Sequence, residues 1–227
     1  MIMHMKRFSM PGFWPLGRKT EKFVITPSPG PHPKQFSIPL RIVIRDVLGY
    51  AETADEAKKL IKGGEVMVDK NVCRNENHPV GLVDVVEFPS IKKQFRVVAS
   101  RRGMQLAEIG AKEASKKLCA IKKKTAVRGG KFQLTLHDGR NVVVKENKYR
   151  PGDSLLIELP AQKILGHFEA KAGAAATIMA GKNSGATGKI KVIENRKKMT
   201  EKSRVIIGTK GADIETLNEY ILVGEIK

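Results

Sequence analysis

Apolar residues fall at Leu40, Val43, Ile44, Val47 and Leu48, the i, i+3, i+4, i+7, i+8 spacing of one helix face, with Ser37 placed to cap and Pro39 in the first turn. Arg41 and Arg45 then share an exposed face. A second helix is predicted after Gly49. Thr53 and Glu56 form a capping box ahead of Ala57, Leu60 and Ile61, Lys58 and Lys62 lie one turn apart, and Gly63 with Gly64 ends the helix. The period then changes to two. Glu65 to Asp69 alternates as a strand, Lys70-Asn71 turns, Val72 resumes, and Val83 to Phe88 forms a further strand before Pro89.

Beyond Gln94 the pattern is mostly β, with strands predicted over Phe95 to Ala99, Gln133 to Leu136, Asn141 to Val144 and Ser154 to Leu159. Asp138-Gly139 is a hairpin signal flanked by alternating Leu134, Leu136, Val142 and Val144, so Asp138 reads as turn chemistry rather than catalysis. From Ala174 two strands are punctuated by Gly181, Gly185 and Gly188. A P-loop is excluded there, because Asn183 stands where its first glycine belongs and Ile190 follows Lys189. A glycine loop between alternating strands fits a tight bend in a small barrel, with backbone able to meet an RNA backbone. The fold class is therefore α+β, mostly β.

Residues Met1 to Ser37 show neither period. Pro11, Pro15, Pro27, Pro29, Pro31 and Pro33 fix extended or turn geometry, so this arm must pack on something else. Two readings stay open for Trp14 and Phe23: stacking on unpaired bases, with Lys6, Arg7, Arg18 and Lys19 meeting phosphates, or burial against the arm's own protein. One further expectation is that the arm orders only on RNA.

Charge changes the picture. Lys and Arg total 42 against 23 Asp and Glu, a formal charge of +19, which calls for a polyanionic partner. The excess is spread: residues 1–37 are net +5, 38–90 net −2, 91–173 net +12 and 174–227 net +4. The densest run, Lys112 to Lys131, holds Lys116, Lys117, Lys122, Lys123 and Lys124, which are either a solvated strand edge or phosphate contacts. No stretch approaches the roughly 18 to 20 apolar residues of a membrane span, and the start lacks the apolar core of a signal peptide. A cytoplasmic protein without a membrane partner is expected. Cys73 and Cys119 read as buried thiols. The five histidines are dispersed, and Cys73 with His78 supplies two ligands where structural zinc takes four, so neither metal nor cofactor is expected.

Four runs carry a resemblance that covers nearly the whole chain: PSPGPHP at Pro27 to Pro33, IPLRIVIRDVLGYA at Ile38 to Ala51, VGLVDVV at Val80 to Val86, and LTLHDGRN at Leu134 to Asn141. Together they resemble the archaeal and eukaryotic small-subunit ribosomal protein family S-four-e. The chain ends at Lys227 without the longer tail of eukaryotic members, which points to an archaeal-type member. The resemblance implies an S-four-like RNA-binding module at 38–90, a central basic β domain at 91–173 and an SH3-like barrel with a KOW motif at 174–227, after the arm at 1–37. It implies rRNA contact by Arg41, Arg45, Lys58 and Lys62 from the helices, and by Lys182, Lys189 and the Gly185 loop from the barrel.

The expected function is a structural constituent of the small ribosomal subunit, bound to rRNA and neighbouring ribosomal proteins, with no small-molecule substrate. Two alternatives come from other classes. One is an RNA-modifying enzyme of the pseudouridine-synthase type, which requires a catalytic domain that the strands and basic turns after residue 90 do not suggest. The other is a KOW-containing transcription or translation factor, which the proline-rich aromatic arm argues against.

Overall fold

The computed structural model describes residues 4–194, 196, 201–209 and 212–224. They form two compact units, one reaching to Val98 and including Arg102–Ser115, the other made of Ala99–Arg101 and the residues from Lys116 onward.

In the first unit, β1 (His4–Lys6) pairs antiparallel with β2 (Phe23–Ile25). The arm packs on its own protein. Met10, Trp14, Val24 and Ile25 are buried, the Trp14 indole donates to the Ser37 carbonyl at 2.9 Å, and His32 meets Asp84 at 3.0 Å with both side chains buried. A Cβ at Gly81 would lie 2.4 Å from the His32 ring, so the ring sits directly on a glycine backbone. Indole and imidazole each have a built seat in the protein, which supports the second reading of Trp14, burial against its own chain.

β3 (Ser37–Pro39) leads into α1 (Leu40–Ile42), which continues as a π-turn over Val43–Val47. Ser37 does not cap it. Its backbone is extended and pairs with Gly81, and its hydroxyl donates to the Pro33 carbonyl at 3.1 Å. Leu40, Ile42, Val43 and Ile44 are nevertheless all buried. Of the predicted face Leu40, Val43 and Ile44 are buried and Val47 and Leu48 half-buried, and the wider turn, closed by Leu48 N–H to Val43 C=O at 3.0 Å, replaces regular α geometry.

α2 (Ala54–Gly63) carries the expected capping box between Thr53 and Glu56, and Gly64 closes it in the left-handed region. The backbone N–H groups of Glu52 and Thr53 hold the Glu56 carboxyl below its usual range, even though some desolvation opposes them. β4 (Met67–Val68) and β5 (Asn71–Val72) form a hairpin whose turn is Asp69-Lys70, both with positive φ, one residue earlier than expected. After β6 (Pro79–Gly81), which pairs with β3, the strands β7 (Val85–Phe88), β8 (Lys93–Ser100) and β9 (Gly103–Glu108) complete a sheet of order β5-β4-β7-β8-β9. A short α3 (Ala111–Ala114) ends the unit, and the Arg96 guanidinium, largely buried, donates to the Glu113 carbonyl at 2.8 Å.

The second unit holds two antiparallel sheets. β10 (Lys116–Val127), β11 (Lys131–Leu136), β12 (Asn141–Val144), β13 (Ser154–Glu158) and β14 (Lys163–Phe168) run in the order β12-β11-β10-β13-β14 around Cys119, Ile121, Leu134, Leu136, Leu155 and Ile157. The Asp138-Gly139 turn falls where the sequence places it, between β11 and β12. β15 (Ala175–Ile178), β16 (Thr187–Glu194), β17 (Arg204–Gly208), β18 (Asp213–Leu217) and β19 (Ile221–Val223) are ordered β18-β17-β16-β15-β19 around Ile178, Ile190, Val205 and Ile207. This is the small barrel-like sheet the glycine pattern predicts. The two sheets meet through the Ser154 hydroxyl, which accepts the Val223 N–H at 3.0 Å.

Candidate RNA-binding surface

Several cations of the S-four-like helices and hairpin are paired with carboxylates inside the first unit. Glu76 takes Arg41 at 2.9 Å and Lys58 at 3.9 Å, Asp46 takes its neighbour Arg45 at 3.0 Å, and Glu87 takes Lys70 at 2.7 Å. Arg41 and Arg45 are therefore only partly exposed, with local carboxylates already on them. Lys62, Lys6, Arg18 and Lys19 are exposed.

Arg7 and Trp14 need correction as RNA contacts. Arg7 is buried at 5% exposure, with its guanidinium on the Gly17 carbonyl at 2.6 Å and on Glu21 at 2.9 Å. Trp14 is 3% exposed, so neither face of its indole is open to a base. Phe23, by contrast, is 44% exposed, with the Lys22 ammonium 5.5 Å from its ring centroid.

In the second unit Lys117 also needs correction. It is fully buried, and its ammonium lies 3.1 Å from Asp138, itself 2% exposed and 3.0 Å from the Arg140 guanidinium. Strand alternation turns Lys117 inward along with Cys119, while Lys116, one residue earlier, stays at the surface. Asp138 is thus more than a turn residue. Burial pushes its carboxyl up, but Lys117, helped by His137 and Arg140, outweighs that and holds it below its ordinary value.

Cys119, His137 and Asp138 are the group that brings potential metal ligands together among the described residues, within 4.8 Å of one another. Two cations already share the Asp138 carboxylate, so a divalent ion there would face strong repulsion. The cluster is read as an ion-pair centre. Neither cysteine forms a disulfide, and burial pushes the Cys73 thiol up despite its contact with the Asn75 carbonyl.

Lys122 and Lys123 are exposed, and a bulge between Ile121 and Lys123 interrupts the β10–β11 register at that point. Lys124 is engaged within the unit: its ammonium meets the Asn147 and Tyr149 carbonyls at 3.0 and 2.8 Å and lies 4.7 Å from the Phe132 ring centroid. Sequence reading missed Lys131, exposed on β11, Arg128, exposed in the β10–β11 turn, and Lys145, exposed just after β12. Among the described residues no carboxylate pairs with Lys122, Lys123, Arg128, Lys131 or Lys145. Extending the alternation through the Asp138-Gly139 turn finds two of these, since it places Lys131 and Lys145 in phase with Lys123.

In the barrel-like sheet Lys182 and Lys189 are exposed. Gly185 has a different role from the one expected. Its φ is +84° and a Cβ there would lie 2.7 Å from the Ala99 carbonyl oxygen, so the space its missing side chain leaves is filled by protein backbone. Gly185→Ala is expected to lower stability by about 1–3 kcal/mol in thermal or urea unfolding. A variant of wild-type stability that binds RNA more weakly would restore the RNA-approach reading.

Three family descriptions match parts of this chain. The descriptions Ribosomal family S4e, RS4NT (NUC023) domain and S4 domain match residues 91–164, 3–35 and 40–86. Small ribosomal subunit protein eS4 of Methanocaldococcus jannaschii is 41% identical over 228 residues, covering 97% of this chain and 93% of the relative. The protein of that name from Methanothermobacter thermautotrophicus is 38% identical over 221 residues, covering 97% and 91%. The crystal structure of the 30S ribosomal protein S4e from Thermoplasma acidophilum superimposes with a TM-score of 0.71 at 27% identity, over 82% of this chain and 94% of that one.

Proposed function

Because this chain belongs to the ribosomal S4e family, we infer that it is a structural constituent of the small ribosomal subunit, held in the ribosome in the cytoplasm by contacts with rRNA and adjoining ribosomal proteins. It performs no catalysis in this reading, and the RNA-modifying and transient-factor alternatives gain no observation of their own.

The observation that supports rRNA contact most directly is where unneutralised charge remains. Carboxylates occupy Arg41, Arg45 and Lys58, whereas exposed cations between Lys122 and Lys145 have no carboxylate partner. Lys62, Lys182 and Lys189 add exposed charge from α2 and the barrel-like sheet, and Lys6, Arg18 and Lys19 add it from the arm. The contact is then a multi-site clamp, with the segment from Lys122 to Lys145 supplying the densest unpaired charge and the arm, α2 and the barrel-like sheet adding further points.

Each phosphate neutralised releases counterions, so affinity for a small-subunit rRNA transcript should fall with salt by roughly 0.7–0.9 log units per log unit of salt for each contact. At least five such contacts predict a log–log slope of about −4 or steeper. A salt-independent affinity would overturn the reading.

A further inference from the structure

We propose that the solvent face of the β10–β11–β12 sheet docks the sugar–phosphate backbone of double-stranded RNA. The proposal rests on the rRNA reading and names the form of RNA that this part of the chain takes.

The register decides which side chains share that face. Lys123, Thr135 and Asn141 form one cross-strand row, Thr125, Gln133 and Val143 the next, and Val127 with Lys131 the third, with Lys145 one residue beyond the last paired position of β12. The opposite rows are Lys124-Leu134-Val142 and Ala126-Phe132-Val144, in which Leu134 is fully buried, Val142 and Val144 pack against the core, Phe132 is half-buried and Ala126, toward the hairpin tip, is exposed. The inner side is therefore core around Leu134, and the outer side carries the exposed Lys123, Thr125, Lys131, Asn141 and Lys145.

Three properties of the open side select the ligand. It is cationic, since Asp138, the one acidic residue between Lys116 and Lys145, is buried against Lys117 and Arg140. It carries no aromatic ring, because Phe132 points to the inner face beneath Lys124. Its neutral polar groups are the short hydroxyls and amides of Thr125, Thr135, Gln133 and Asn141. Binding of unpaired RNA relies on rings that stack with splayed bases, and this face offers none. A duplex keeps its bases stacked and instead presents phosphates and 2′-hydroxyls across a wide, shallow minor groove. Lysines suit the phosphates, and hydroxyls and amides suit the 2′-hydroxyls.

The dimensions agree. Three strands at about 4.8 Å spacing and three rows roughly 6.7 Å apart give a patch on the order of 10 by 13 Å, broad enough to lie across such a groove. Beyond the last row the hairpin tip carries exposed Arg128 and then Gly129 and Gly130, both with positive φ and with nothing within 4 Å of a Cβ position. The tip is open, and Arg128 extends the charge past the sheet.

The test measures binding of the full chain to a perfectly paired RNA duplex, the DNA duplex of the same sequence, and one unpaired RNA strand, by fluorescence anisotropy across a salt series. The variant K123Q/K131Q/K145Q changes only exposed side chains and should melt as wild type does. It is expected to lose about tenfold or more in affinity for the RNA duplex, with a salt slope shallower by about two to three. T125V/Q133A should narrow the wild-type preference for the RNA duplex over the DNA duplex.

The proposal is overturned if the triple variant binds duplex RNA as wild type does, if the unpaired strand loses as much affinity as the duplex, or if wild type does not distinguish the RNA from the DNA duplex. A triple variant that binds every RNA normally yet drops out of assembled subunits would make this a protein-docking face, and also overturns it. If the wild-type chain fails to bind a small-subunit rRNA transcript, the rRNA reading itself fails. Transcript binding by wild type with no effect of the triple substitution rejects only the face.

Discussion

Asp138→Asn is expected to destabilise the second unit by about 3–5 kcal/mol, because it strips the counter-charge from an ammonium taken completely out of water. Lys117 is fully buried on β10, 3.1 Å from the Asp138 carboxylate, which also receives Arg140 at 3.0 Å. Breaking such a pair from one side leaves a desolvated charge, whereas removing both charges together is far milder. K117M/D138N should therefore recover much of the loss in urea unfolding at neutral pH. A double variant no more stable than Asp138→Asn alone would show that the charge itself is not what the site requires.

The same carboxyl predicts acid sensitivity. Its folded pKa is held below the unfolded value, so its contribution is present in full above the ordinary carboxyl range of about 4 and is lost as pH falls through the folded pKa. Unfolding midpoints followed downward from pH 5 should fall in wild type and fall less in Asp138→Asn.

Trp14→Ala should cost about 3–5 kcal/mol, the range for emptying a large buried aromatic seat, with an added penalty at the Ser37 carbonyl, which loses its indole donor. As the one tryptophan in the chain, Trp14 reports on itself. Its emission should be blue-shifted and insensitive to iodide in the free protein, and saturating rRNA should leave it unchanged. Strong quenching by rRNA would mean that the ring leaves its seat to stack on bases.

These two residues mark where sequence reading stops. Local chemistry was legible: the Thr53–Glu56 capping box, the Gly64 cap and the Asp138-Gly139 turn are each specified within a few neighbouring residues, and each stands where expected. Ser37 failed as a cap because pairing with Gly81, far along the chain, kept its backbone extended. Lys116 and Lys117 look alike in sequence. Only alternation with Cys119 and Ile121, combined with an acid twenty-one positions later that folds over the inner face, separates a buried cation from an exposed one. Net charge by segment likewise showed that 38–90 is not basic, but it did not reveal that Glu76 would lie against both Arg41 and Lys58.

The strand pairing of the last sheet bears on synthesis in chain order. β15 pairs with β16 on one side and with β19 on the other, through Thr177 opposite Leu222. Until residues 221–223 emerge, one flank of β15 is a bare row of peptide groups, the kind of edge that recruits strands from other chains. The newly added β19 would present such an edge in turn, but its Val223 N–H is taken by the Ser154 hydroxyl. A nascent chain interrupted before β19 therefore leaves a sticky flank, whereas one that includes β19 has that flank paired and a hydroxyl on the strand that pairs it.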